Sequence, residues 1–232
     1  MQEEASIYFI SKNDIRTKDL VENYIYPNNE LNYYWSNDFS CDFYIELAQL
    51  GFISISSPNE NEVILLSEIQ HEYSVLDFKN LHISKKVQKL LNKNTYTFKI
   101  NQDYEKVIEI LESYHKNSWC TKEYKKLLYE LITYQHESID FTLNCFEVYE
   151  EKILMACEIG YTIGKTYTSL SGYSNKKYNN YGTLQLVVLA KYLDNNGYHF
   201  WNLGHAMMAY KKKLGAIIHS REDFLKRWKK SI

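Results

Sequence analysis

The sequence predicts an α+β fold with a mainly antiparallel sheet flanked by helices, and three observations predict it. Three strand-like runs follow one another, FTLNCFEVY, ILMACEIGYTIG and TYTSLSGY, the first two joined by a tight turn at Glu150 to Lys152. Alternation over such lengths suits strands with one buried face, and a short turn makes the neighbours antiparallel. Next come a helix over Thr183 to Leu193, a strand YHFWNLG, and a last helix capped by Ser220, with Asp223 in a capping-box position. Consecutive strands followed by helix, strand and helix indicate α+β rather than alternating α/β.

The earlier elements are justified in turn. Residues 1–72 are read as a small N-terminal α/β domain and 73–232 as the larger domain. SNDFSCDFYIELAQLGF holds a helix with Ser40 as N-cap, Phe43, Leu47 and Leu50 on one face, and Gly51 as the stop. SISSPNENE, Ser54 to Glu62, has the composition of a loop and is read as a connector. Leu81 to Asn92 form a helix capped near Ser84, and TYTFKI alternates as a strand. Asp103 caps YEKVIEILESYHK, with an apolar stripe of Val107, Ile108 and Leu111. Thr121 caps KEYKKLLYELITYQ, whose Tyr124, Leu127, Leu128 and Leu131 share a face.

Composition narrows the function classes. The 232 residues are 45% hydrophobic and 24% charged, which suits a packed globular chain rather than a disordered one. The net charge of -2 argues against non-specific coating of nucleic acid while allowing a local basic patch. Arginine occurs only at Arg16, Arg221 and Arg227, so lysine supplies nearly all the positive charge, as point charges rather than bidentate forks. Cys41, Cys120, Cys145 and Cys157 show no C-x-x-C pairing, which argues against a zinc site or a disulfide framework. MQEEASIYFISKND lacks a basic-then-apolar signal pattern, and no apolar run reaches the ~20 residues that span a bilayer. A cytoplasmic protein with no membrane partner is expected.

Four stretches could carry chemistry. In LHISKKVQKLLNK, helical spacing of ~100° per residue gathers Lys85, Lys86, Lys89 and Lys93 within one quadrant. Such a face is either simply solvated or suited to a phosphate backbone. Trp119 in NSWCTKEY precedes a helix, where it is either core or the wall of a pocket. Glu158 interrupts an apolar strand, which is costly unless it faces solvent, a partner or a pocket. Strict alternation on the next strand puts Ser169, Ser171 and Tyr173 on one polar face, and Gly172 with NKKYNNYG leads into a helix that could receive phosphate. HFWNLG ends a strand at Asn202 and Gly204, either as chemistry or as a turn. His199 and His205 have no carboxylate or cysteine at ligand spacing, so no metal is expected, and no dinucleotide or Walker loop is present.

Over about Asn37 to Leu225 the chain resembles the leucyl/phenylalanyl-tRNA–protein transferases, whose catalytic domain has the fold of the GCN5-related N-acyltransferases. NDFSCDFYIELAQLGFI, SVLDFKNLHISKKVQKLL with its LHIS segment, SWCTKEY, and LGAIIHSREDFL carry the resemblance in the family's order. It implies transfer of leucine or phenylalanine from aminoacyl-tRNA to the N-terminus of an acceptor protein, which marks the product for degradation. Such aminolysis of an ester needs no metal, cofactor or covalent nucleophile, since the enzyme orients two substrates and stabilises developing charge. On this resemblance Lys85, Lys86, Lys89 and Lys93 grip tRNA, while Trp119, Ser171, Tyr173 and Gly204 bind substrate in a protein acting as a monomer.

The departures from the family lie at the reaction centre. Ser169-Leu170-Ser171 stands where the family commonly has Gly-Glu-Ser, and Asn202-Leu203-Gly204 where it has aspartate, a spacer and glutamine. The tryptophans ahead of SVLDF are replaced by ILLSEIQHE. Glu158, with Asn202, is therefore expected to carry catalysis. Two alternatives remain: a non-catalytic relative that binds tRNA or N-termini, and an acyl-CoA-dependent acyltransferase. The second lacks its Q/R-x-x-G-x-G/A loop, because NNYGTL occupies that place.

Overall fold

The computed structural model describes residues 7–59, 62–115 and 119–232. Residues 60 and 61 of the expected connector, and 116–118 ahead of Trp119, lie outside them.

The N-terminal portion runs β1 (Tyr8–Phe9), α1 (Lys12–Arg16), α2 (Lys18–Leu20), a π-helical turn Val21–Ile25, β2 (Tyr33–Ser36), α3 (Cys41–Gln49), β3 (Ile53–Asn59) and β4 (Glu62–Glu68). Its four strands lie in the order β1-β2-β4-β3. The expected connector Ser54 to Glu62 is thus a strand, paired antiparallel with β4 from Ile53–Glu68 to Asn59–Glu62. Its loop-like composition misleads because serines, not aliphatic residues, form the buried face. Ser54 Oγ bonds Ser67 Oγ at 2.8 Å, and Ser56 Oγ donates to the Trp119 carbonyl and accepts from Thr121 N–H. Each buried hydroxyl therefore keeps a partner, which removes most of the cost of burying it. Pro58 is tolerated because β3 lies at the sheet edge.

The second sheet contains β5 (Glu72–Leu76), β6 (Tyr96–Ile100), β7 (Phe141–Glu150), β8 (Ile153–Ile163), β9 (Thr166–Ser174), β10 (Phe200–His205) and β11 (Ile217–Ser220), in the order β11-β5-β10-β9-β8-β7-β6. The helices are α4 (Lys85–Lys93), α5 (Tyr104–Tyr114), α6 (Lys122–Leu131), α7 (Tyr181–Asn195), α8 (Ala209–Leu214) and α9 (Arg221–Trp228). Ser40, Ser84, Asp103, Thr121 and Ser220 each accept a backbone N–H at the helix start assigned to them from sequence. The architecture is α+β with a mainly antiparallel sheet. Within this second sheet the parallel pair is β9–β10, because α7 crosses over between them, and in the first sheet β1 and β2 are parallel as well.

Two apolar clusters clothe the sheet. One gathers Phe43, Phe52, Leu65 and Ile69 with Tyr73, Leu128, Leu143 and Tyr161, so the N-terminal strands share a core with the second sheet. The other packs Leu184, Val187 and Leu193 of α7 against Phe146, Tyr167 and Trp201. Parallel pairing of β9 and β10 extends only from Thr166–Phe200 to Thr168–Asn202, and beyond these residues no ladder joins the two strands. That opening positions the site.

Candidate functional site

A cavity of about 660 Å³ lies at this opening. Its walls come from β8, β9, the tip of β10, α7 and α8, and across from them β3, β4 and Trp119. Glu158 reaches it from the middle of β8. Cys157 and Ile159 turn to the core shared with the N-terminal strands, and Glu158 takes the other face, where Phe146 is its β7 partner. Only 4% of Glu158 is exposed, which rules out the solvent-facing position that alternation alone allowed.

Its carboxylate is held by a short relay. Tyr167 OH donates to Oε1 at 3.0 Å and Ser169 Oγ donates to the same oxygen at 2.5 Å. Trp201 Nε1–H donates to Ser169 Oγ at 2.7 Å, which turns the serine hydrogen toward Glu158. Burial pushes the carboxyl up to about 7, against the opposing pull of Ser169, Tyr167, Gln185 and the Lys211 charge. A carboxyl poised there exchanges protons readily at neutral pH. Gln185 of α7 also lines the cavity.

Ser169, Ser171 and Tyr173 do not share a face as alternation predicts. Ile159 pairs with Ser171 and Gly160 with Ser169, so Leu170 is an extra residue and β9 is bulged there. Ser169 consequently points to Glu158, whereas Ser171 Oγ bonds His115 Nε2 at 3.1 Å on the other side. Tyr173 packs edge-on against Tyr114 at 5.1 Å, and Trp119 packs edge-on against Tyr124 at 5.5 Å. Trp119, Ser171 and Tyr173 all line the cavity, with Ile53, Ile55 and Leu66 adding an apolar wall.

The HFWNLG tip is also explained. Asn202 is 1% exposed; its Oδ1 accepts Gly204 N–H at 3.0 Å and its Nδ2 donates to Thr168 Oγ1 at 3.4 Å. The side chain therefore holds the turn that lets Gly204, at φ +70°, bulge out of register with β5 and reach the cavity wall. Asn202 itself is not among the wall residues.

Lys211 escaped the sequence reading because it lies in a lysine run that looks solvated. It is 3% exposed, and its Nζ donates to the carbonyls of Leu203 and His205, fastening α8 to the β10 tip. Burial pulls its ammonium down to about 8, while the nearby Glu158 charge opposes that fall. Glu68 and Gln70, also on the wall, carried no signal beyond being polar residues after an apolar strand. Lys85, Lys86, Lys89 and Lys93 are exposed on α4, away from the cavity wall. Backbone bonding of His82 N–H to Leu214 places the start of α4 beside α8, whose Lys212 and Lys213 are exposed as well.

Among solved structures, the chain is similar to the C-terminal domain of an Agrobacterium fabrum protein described as a lysylphosphatidylglycerol synthetase (12% identity, TM-score 0.49, covering 92% of this chain and 75% of that one). It is also similar to FemX (9% identity, TM-score 0.46, covering 75% of this chain and 65% of that one). No curated protein sequence matches it. Residues 75–229, more than half of the chain and including most of the cavity wall, match the family described as leucyl/phenylalanyl-tRNA protein transferase, and the chain belongs to that family.

Proposed function

We propose that the protein transfers leucine, phenylalanine or another amino acid from aminoacyl-tRNA to the N-terminal amine of an acceptor polypeptide, with the reaction centred on Glu158. The observation that carries this reading is a buried carboxyl near neutral pKa on the wall of a mixed apolar and polar cavity. The apolar wall of Ile53, Ile55, Leu66 and Trp119 suits a large apolar aminoacyl side chain. The neutral acceptor amine attacks the ester carbonyl and forms a C–N bond. The Glu158 carboxylate takes the proton released from that nitrogen. The tetrahedral intermediate collapses by breaking the bond to the ribose oxygen, which leaves with a proton returned from Glu158. No group is oxidised or reduced.

Other residues serve this step indirectly. Ser169 and Tyr167 fix the carboxylate, and the Lys211 ammonium offsets charge as the carbonyl oxygen becomes negative. Asn202 is a positioning residue that sets the Gly204 bulge. The lysines of α4, extended by Lys212 and Lys213 of α8, form the face for the acceptor-stem phosphates. A buried, hydrogen-bonded Glu158 favours an enzyme over a binding module without catalysis.

The test is a transfer assay with a pool of charged tRNAs and peptides varied at the first residue. Labelled amino acid should appear at the α-amine of at least one peptide, with Glu158→Gln lowering transfer ~10²-fold or more. Absence of transfer from every charged tRNA to every peptide sinks the reading.

A further inference from the structure

Facing the Glu158 side of the cavity, the N-terminal strands supply a second carboxylate. Glu68 ends β4 and is 8% exposed; its Oε1 accepts from Asn32 Nδ2 at 2.9 Å. Its Oε2 accepts from Gln70 Nε2 at 3.4 Å and pairs with His205 Nε2 at 3.0 Å. Donation through Nε2 fixes which way the Gln70 amide lies, so Oε1 is the end left over. That Oε1 is buried and has no hydrogen-bond partner among the described residues, although Gln70 is only 2% exposed. An orphaned buried acceptor is costly, and an incoming donor would satisfy it.

Charge sharpens the chemistry. The guanidinium of Arg221 acts on Glu68 through space, but its donors go to main-chain carbonyls including Gln70, Ile69 and Asn28, and to His71 Nδ1. The side chain that touches Glu68 from the rim is His205, which is 54% exposed and stands where the pairing of β10 with β5 shifts register between Asn202 and His205. One wall therefore holds an anionic oxygen and, two residues on, a buried neutral acceptor without a partner among the described residues, with the exposed His205 imidazole over the first.

We propose that Glu68 and Gln70 form a subsite for an organic cation with at least two N–H donors, an ammonium or guanidinium group of a substrate, which displaces the His205 side chain from Glu68. The inference rests on the cavity being the substrate site. Two sources present this chemistry: the α-ammonium of the aminoacyl ester, and a basic side chain at the head of the acceptor. In either case the subsite selects for positive charge at a point supplied by the N-terminal strands, outside the matched family segment of residues 75–229.

Three small probes test this without tRNA and without turnover: leucinamide (ammonium only), N-acetylargininamide (guanidinium only) and neutral N-acetylleucinamide. Binding is followed by NMR of the His205 ring and by calorimetry. One or both cations should bind at least about tenfold more tightly than the neutral probe. Glu68→Gln, which retains the size and much of the hydrogen bonding, should abolish that preference. The cation that binds identifies the source.

Displacement has its own signature. Its hydrogen bond to Glu68, with the accompanying charge attraction, raises the His205 imidazole above its ordinary value, while Lys211 opposes that rise. Glu68 is also faced by Tyr33 of β2, Tyr73 of β5 and Arg221 of α9. A bound cation should bring the His205 titration back toward its ordinary value. His205→Ala should increase cation affinity several-fold at pH 6 and little at pH 8, an outcome available even if Glu68→Gln does not fold. Equal binding of all three probes, a cation preference that survives Glu68→Gln, or an unmoved His205 titration overturns the subsite. Because none of these readouts involves transfer, they fail separately from the proposed reaction.

Discussion

At the scale of single residues, Glu158 illustrates function placed at the expense of stability. Its carboxyl is raised in the folded chain, so the unfolded state holds its proton less tightly. The stability it contributes is complete below the unfolded value near 4.5 and is lost as pH rises toward about 7. Glu158→Gln should therefore stabilise the fold by on the order of 3 kcal/mol at pH 8 and by little at pH 4, measured by denaturant melts at both values. Equal effects at the two pH values would mean the carboxyl is not perturbed. Lys211→Met should move the proton-transfer midpoint upward, since the lysine charge lowers the Glu158 value. Glu158 was legible as an oddity because an acid inside an apolar strand stands out. Lys211 was not, because sequence cannot tell which lysine of a run is buried.

At the scale of elements, β7 and β8 form the expected antiparallel pair around the turn after Glu150, with one register shift between Val148 and Tyr149, and the capped helices begin where their polar caps say. Two elements broke the pattern for physical reasons. β3 buries hydroxyls that are paired with one another or with main chain, so it carries no apolar signature. β9 is bulged at Leu170, which hands Ser169 to Glu158 and Ser171 to His115, and one inserted residue cannot be seen in an alternating string. The bulge depends on Gly160, where an added Cβ would lie 2.3 Å from the Thr168 carbonyl and 2.4 Å from Tyr167 OH. Gly160→Ala should cost several kcal/mol, about 3 by the measure of other overpacked sites, and lower transfer by displacing Tyr167. A melt within 0.5 kcal/mol of wild type, by the ~0.5 kcal/mol that marks neutral changes, would contradict this. On α4, replacing all four exposed lysines with alanine should leave the melt nearly unchanged. It should weaken tRNA binding and flatten its dependence on log salt concentration. An unchanged salt slope would remove α4 from the tRNA face.

At the scale of the whole molecule, the cavity exists because two sheets share one core and close over the gap between β9 and β10. Arg221 of α9 fastens the arrangement, donating to carbonyls of Asn28, Ile69 and Gln70 from the far end of the chain. Arg221→Met should destabilise by about 3 kcal/mol through buried carbonyls left without donors, and fluorescence and circular dichroism should report one shared unfolding transition. Two separated transitions would show that the N-terminal strands fold independently. No helix among the described residues is long and apolar enough to cross a membrane. The central claim is that Glu158 accepts the proton in aminoacyl transfer. Its most direct test is the pH dependence of single-turnover transfer from charged tRNA in wild type and Glu158→Gln. Wild-type rates should rise with pH through a midpoint near 7 and level off, while the variant is ~10²-fold slower and lacks that midpoint. An identical midpoint in both proteins, or full speed without the carboxyl, would contradict it.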